Sequence, residues 1–229
     1  MNQREYIKFL NVIEKLKCNT RHSWTSSGRH ESVAEHSWRL AVMAMLCTDE
    51  YPDLNINKVI KMCLIHDFGE AITGDIPAFL KTDKNEKDEE KAIDSLLTLL
   101  PVDTKKELSE LFEEMKSVNT DEARLWKSLD NIEALISHNE ADISTWLTRE
   151  YEENLTYGQT NSEWSFWTKE LRKEVKQDSI DKISKEGKYC NTPTDIENLS
   201  GLNICLLRSK ICLGPSRTPV PTRINQTSL

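Results

Sequence analysis

No stretch of this chain reaches the roughly 18 consecutive apolar residues that a membrane span requires. No C-x-x-C pair occurs among its six cysteines, Cys18, Cys47, Cys63, Cys190, Cys205 and Cys212. Thiols without that spacing, three of them in or beside apolar stretches, read as reduced cysteines of a cytoplasmic protein. The segment Met1–Tyr6 carries no apolar signal region. A basic surplus is missing too: 30 Lys and Arg stand against 38 Asp and Glu, a net charge of −8. Nucleic acid and anionic membrane both call for a basic surface, so neither is expected as a main partner. No internal repeat and no strand-like alternation of any length appears, so the expected class is all-α. What is present is enough apolar material, 38% of 229 residues, for a real core in one large domain or two small ones.

Helical spacing of apolar residues organises the chain as far as residue 187. Residues 3–17 read as an amphipathic helix through Ile7, Leu10 and Leu16. Residues 18–33 read as an irregular loop that holds Arg21, His22, Trp24, Arg29 and His30. The helix over 33–50 is apolar on nearly every side, which places it in the middle of a domain. A third apolar helix covers 56–68. Residues 84–99 begin in a charge run that reads as a solvated helix face, and 104–117 form another amphipathic helix. Thr120 is positioned to cap a helix that carries Trp126, Leu129 and Ile132, and a last helical region spans about 160–185. From residue 188 the character changes. This tail holds four of the seven prolines and half the cysteines, and its charge is +3 against −11 for the residues before it. It is set apart as disordered or non-native sequence, leaving one domain over 1–187.

The chain is organised around Ile65-His66-Asp67-Phe68-Gly69-Glu70. A histidine and an aspartate follow an apolar run there, and a buried carboxylate without a partner costs several kcal/mol. Glu70 lies four residues after His66 and three after Asp67, so a continuing helical turn brings it beside both. His36 and Asp130 are similarly out of place, each in an otherwise apolar helix. Singly, each fits a hydrogen-bonded core histidine or an exposed stripe-edge aspartate. Together, two imidazoles and two carboxylates make a four-ligand set for one divalent transition metal such as Mn, Co, Fe, Ni or Zn. Gly69 and Gly74 mark backbone that must come close to something.

His36…His66-Asp67…Asp130 resembles the signature of the HD-domain metal-dependent phosphohydrolases. Glu31-Ser32-Val33-Ala34-Glu35-His36-Ser37, His66-Asp67-Phe68-Gly69-Glu70, Thr73-Gly74-Asp75-Ile76-Pro77 and Thr120-Asp121-Glu122-Ala123 leading to Leu129-Asp130 resemble the 5'-deoxyribonucleotidase branch. Other branches fit less well. Ala71 replaces the second acid of the guanosine-tetraphosphate hydrolases, and the cyclic-diguanylate G-Y-P motif is absent. The resemblance implies an all-α HD bundle with a buried metal site that hydrolyses deoxynucleoside 5'-monophosphates. His36, His66, Asp67 and Asp130 would hold the metal, and Asp67 and Glu70 would be catalytic, with Glu70 orienting water or shuttling a proton. Arg21 would bind the phosphate. Trp24, Asp75, Ile76, Pro77 and Ala78 would hold the nucleoside, with Asp75 accepting from the 3'-hydroxyl. In the family the tryptophan directly follows the arginine; here His22 and Ser23 intervene. The family also implies a homodimer. Alternatives are a phosphatase or pyrophosphohydrolase for another small metabolite, and a non-catalytic nucleotide-binding regulator.

Overall fold

A computed structural model describes residues 1–77 and 80–185. The tail 188–229, expected to be disordered or non-native, lies outside the described residues. Among the described residues ten α-helices follow in chain order: α1 Gln3–Ile13, α2 Val33–Leu46, α3 Ile56–Ile65, α4 Glu70–Thr73, α5 Asp83–Leu97, α6 Val102–Ser117, α7 Asp121–Glu140, α8 Glu150–Thr156, α9 Gln159–Ser162 and α10 Phe166–Lys185. Short 3-10 turns extend α1 over Glu14–Lys17 and follow α7 at Ile143–Thr145. Among the described residues no helix is long and apolar enough to cross a membrane.

The expectation of helices without strands is corrected in one place. The segment read as an irregular loop folds into a hairpin, β1 Thr20–Trp24 against β2 His30–Ser32, antiparallel, with Thr20 opposite Ser32 and Trp24 opposite His30. Gly28 turns it at φ +81. The register is irregular between its two ends, so neither short strand carries the period-2 alternation that would have revealed it. The fold is otherwise helical, as expected.

Ser32 ends the hairpin and starts α2. Its hydroxyl accepts from the Glu35 amide and the Glu35 carboxylate accepts from its own amide, a reciprocal cap that fixes where the helix begins. The cap sets the phase of α2, so that Val33, His36, Ser37, Leu40 and Ala44 face inward. The opposite face is not buried. Trp38 is 65% exposed and Leu46 72%, so α2 has a core side and an apolar outer side rather than a place at the domain's centre. Asn55 caps α3 and Thr120 caps α7 by accepting from Lys58 and Ala123 amides. α2, α3 and α7 pack together around Leu40, Ala44, Val59, Met62, Cys63, Leu125 and Leu129. α10 packs on α7 through Ile132, Leu135 and Val175.

The region between Ile136 and residue 160, unassigned by periodicity, folds over the far end of α7. Ile143, Trp146, Tyr151 and Leu155 form a separate core with Ile180 and Ile183 of α10. Arg172 holds α8 in place by donating to the Asn154 and Tyr157 carbonyls. Gly158 then reverses the chain at φ +69, and a Cβ there would meet Asn131 Cβ at 2.5 Å. The positive φ and the contact both disfavour any larger residue. Gly158→Ala is expected to lower stability by about 1–3 kcal/mol, read from the denaturant midpoint. An unchanged midpoint would show that α7 and the α8–α9 turn are not tightly apposed.

Candidate metal centre and its cavity

Three elements converge on one point. His36 comes from the first turn of α2, His66 and Asp67 from the turns after α3, and Asp130 from the middle of α7. His36 Nε2 lies 3.3 Å from His66 Nε2 and 3.3 Å from Asp130 Oδ1. His66 Nε2 lies 3.1 Å from Asp67 Oδ2 and 3.7 Å from Asp130 Oδ1. Ligand atoms of His36, His66 and Asp67 all fall within 4.8 Å of one another. His36 is buried, while His66, Asp67 and Asp130 are partly exposed toward a cavity.

The outer nitrogens of both imidazoles are taken. His66 Nδ1 meets the Cys63 carbonyl at 2.9 Å. His36 Nδ1 meets Glu133 Oε2. Glu133 is fully buried one helical turn beyond Asp130. Its other oxygen accepts from Arg39 Nε at 2.7 Å and Ser137 Oγ at 3.2 Å. Arg21 Nη1 stands 3.4 Å from Glu133 and 2.9 Å from Glu31. Burial works against charge on Glu133, but His36, Arg21 and Arg39 hold its pKa down at about 2. Burial likewise disfavours the His36 cation, yet Glu133 and Asp130 raise it to about 9. Glu31, His36 and Glu133 also cluster closely enough to suggest a second ion. The guanidinium groups of Arg21 and Arg39 already neutralise those carboxylates, so the cluster is a hydrogen-bond network behind His36.

Asp130 stays ionised despite burial because Lys127 Nζ sits 2.9 Å from its Oδ2, one turn back on α7. Asp67 is held at about 2, against burial, by the adjacent His66. Glu70 is different. Gly69 lets the chain pass so close to α5 that a Cβ would meet Glu89 Cγ at 2.6 Å. Glu70 itself is 5% exposed, with Oε2 lacking a hydrogen-bond partner among the described residues. Burial first, then Asp67, Asp75 and Glu89, push its pKa up to about 10. Asp75 is raised by burial, with Arg21 opposing.

A cavity of about 580 Å³ opens on this centre, lined by Arg21, His36, His66, Asp67, Glu70, Asp75, Ile76, Lys81, Lys127, Asp130 and Tyr157, with part of α5. The α5 charge run is therefore more than a solvated face: Glu86, Glu89 and Glu90 line the rim, and Lys81 pairs with Glu89 at 2.5 Å. A second cavity of about 130 Å³ adjoins the first and shares Arg21, Asp75 and Tyr157 with it. Pro77 lines the second. Trp24 departs from expectation. It sits at the end of β1 with its ring 3.9 Å from that of His30, and is not among the described residues lining either cavity. Ala78 lies outside the described residues. Arg29 pairs with Glu35 on the surface, and His22 Nε2 pairs with Glu150 at 2.9 Å. Sequence reasoning missed Glu133 and Lys127, although Lys127, Asp130 and Glu133 recur at one-turn spacing and so share a face of α7.

The donor set suits a divalent transition metal: two imidazole nitrogens with outer hydrogen bonds fixed, and two carboxylates held ionised in a buried, strongly acidic cavity. The HD-domain family pattern matches residues 13–172. This chain belongs to the HD-domain family. It is 38% identical over 141 residues to the 5'-deoxynucleotidase HDDC2 of Homo sapiens, covering 60% of this chain and 68% of that protein. It is 30% identical over 173 residues to the 5'-deoxynucleotidase hdd1 of Schizosaccharomyces pombe, covering 68% of this chain and 86% of that one. A crystal structure named as a "predicted metal-dependent phosphohydrolase" from Magnetospirillum magnetotacticum superposes with a TM-score of 0.66 at 30% identity, over 78% of this chain and 93% of that one.

The raised Glu70 pKa has a stability consequence. An unfolded glutamate ionises near pH 4.3, whereas the folded one holds its proton to about pH 10. Between these values the unfolded state binds fewer protons, so Glu70 subtracts stability as pH rises through that window. Below about pH 4.3 both states are protonated and the penalty vanishes. Metal-free Glu70→Gln protein is therefore expected to melt higher than the parent at pH 8, with the gain shrinking at pH 5. An equal gain at both pH values would place the Glu70 carboxyl in ordinary solvent.

Proposed function

We propose that this HD-domain protein is a metal-dependent phosphomonoesterase that hydrolyses deoxynucleoside 5'-monophosphates to deoxynucleosides and phosphate. The observation that carries the reading is the convergence of His36, His66, Asp67 and Asp130 in one cavity with Arg21 and with Glu70, whose Oε2 lacks a hydrogen-bond partner among the described residues. The 5'-deoxynucleotidase relatives narrow the substrate.

His36, His66, Asp67 and Asp130 would hold one divalent transition metal. When bound, such an ion polarises a phosphoryl oxygen and makes water acidic enough to attack near neutral pH. Glu133 and the Cys63 carbonyl hold the two imidazole rings so that each presents Nε2 to the centre. Arg21 offers a planar fork to the phosphate, its position fixed by Glu31 and Glu133. Lys127 adds a second positive charge at the cavity wall. Glu70 holds a proton near Asp67 and is placed to orient water or pass a proton as the phosphorus–oxygen bond to the sugar breaks. Asp75, raised by burial and standing where the two cavities meet, accepts from the 3'-hydroxyl.

The exposed apolar face of α2, with Trp38, Met45 and Leu46, supports a homodimer, since large exposed apolar side chains on one helix face mark contact surfaces. The free thiols of buried Cys47 and Cys63 support a reducing, cytoplasmic setting. The net charge of −8 supports small-molecule substrates over nucleic acid.

The primary test is phosphate release across a panel of nucleoside monophosphates with Mn, Co, Mg or Zn added; no release from any of them would end the reading. Asp67→Ala is expected to lose bound metal and activity together, measured by elemental analysis and turnover. Glu70→Gln should retain metal and lose about 10²–10⁴-fold in turnover. Retained metal with full turnover would make Glu70 a bystander. On the parent enzyme, kcat/KM for 2',3'-dideoxy monophosphates should fall well below that for deoxy substrates, and Asp75→Ala should abolish the difference. A site that requires such a hydrogen bond discriminates more strongly than one sized by apolar walls. Equal values on the parent would remove Asp75 from sugar recognition.

A further inference from the structure

A separate cavity of about 210 Å³ is lined by residues of α9 and the first half of α10, and it shares no lining residue with the two above. Its α10 side is cationic. Lys169, Arg172, Lys173 and Lys176 stand at i, i+3, i+4 and i+7, so they share one face of the helix. Like charges one turn apart oppose a helix. Two carboxylates line the cavity as well, Glu163 and Glu170. Glu170 is taken by Lys173 at 3.0 Å, and Glu163 Oε1 accepts from Gln159 Nε2 at 3.5 Å. Four cations against two carboxylates leave the cavity positive, in a chain whose net charge is −8.

Lysines on a helix face ordinarily extend into water and need no ligand. Arg172 does not have that freedom. It is 4% exposed, yet it lines the cavity. Its Nε donates to the Tyr157 carbonyl at 2.9 Å and its Nη2 to the Asn154 carbonyl at 3.1 Å. Among the described residues Nη1 has no hydrogen-bond partner, and no carboxylate pairs with the guanidinium. Burial alone acts on its pKa, and lowers it. An enclosed cation without a counter-charge is costly. Lys169 and Lys176, one turn to either side, also lack an ion-pair partner among the described residues. The two carbonyls hold the guanidinium in place, so its remaining donor is preorganised.

We infer that this cavity binds a phosphate-class dianion, held by Arg172 Nη1 and by the ammonium groups of Lys169 and Lys176. The guanidinium fork suits phosphate and carboxylate oxygens alike. Three donors from successive turns of a helix favour the tetrahedral ion, whose oxygens point to several sides, over a carboxylate with two oxygens in one plane. A dianion also offsets the surplus of two positive charges. The inference stands apart from the hydrolase reading, because no residue of the metal centre takes part.

The test is an NMR titration of the isotope-labelled full chain with inorganic phosphate, read at the backbone amides of residues 159–176 so that any phosphate at the metal centre is seen separately. Saturable shifts at Lys169, Arg172 and Lys176 are expected. The double variant Lys169→Gln, Lys176→Gln should weaken binding about tenfold or more. Glu163→Gln raises the positive charge and should tighten it about two- to fivefold, so the idea stays testable if the double variant folds poorly. Adenosine diphosphate is titrated in a parallel arm: tighter binding than phosphate assigns the site to a phosphorylated metabolite, and equal or weaker binding to the free ion. Shifts that do not saturate, that sodium chloride of equal ionic strength reproduces, that succinate matches in affinity, or that neither variant alters overturn the inference.

Discussion

The pairing of His36 with the buried carboxylate of Glu133 is the interaction on which the rest of the site depends. Glu133 is fully enclosed, and an enclosed carboxylate persists as an ion only when several donors surround it. Those donors come from different parts of the chain: His36 and Arg39 from α2, Arg21 from the hairpin, and Ser137 from the next turn of α7. Satisfying one charge therefore fixes the hairpin, α2 and α7 relative to one another. It also fixes which nitrogen His36 turns toward His66 and Asp130. Removing one partner of such a network typically costs 3–5 kcal/mol, because the remaining charge is stranded.

From that anchor the electrostatics divide the cavity in two. On one side Lys127 and the histidines keep Asp130 and Asp67 ionised. On the other side burial and mutual repulsion leave Glu70 protonated and Asp75 raised. Carboxyls within one cavity thus take on different protonation tendencies through their surroundings alone. Gly69 passes close against Glu89 and Ile93 of α5, next to the buried Glu70.

Much of the site was legible in the linear sequence, and for one reason. His36, His66, Asp67 and Asp130 are polar residues set in apolar helices, and that mismatch is visible without a structure. Thr120 as a cap and Gly69 as a close approach were legible on similar grounds. Glu133 was not, because a glutamate in a helix is ordinary until its neighbours are known. The hairpin was not, because an irregular register erases the alternation that marks strands. Trp24 was assigned to the nucleoside only by resemblance, although His22 and Ser23 separate it from Arg21; it ends β1 and packs on His30.

By itself, then, the sequence determined the helical class, the presence of helices over 33–50 and 56–68, the cap at Thr120, and which polar residues are out of place in apolar helices. These follow from local rules: apolar spacing, capping chemistry, and the cost of placing a charge beside apolar neighbours. Only the tertiary structure decided which carboxyls are ionised and which side of α2 is left open. It also decided that Asp75 stands where two cavities join. Those outcomes depend on distances between residues far apart in the chain, such as the 97 positions between His36 and Glu133, and no local pattern encodes a distance of that kind.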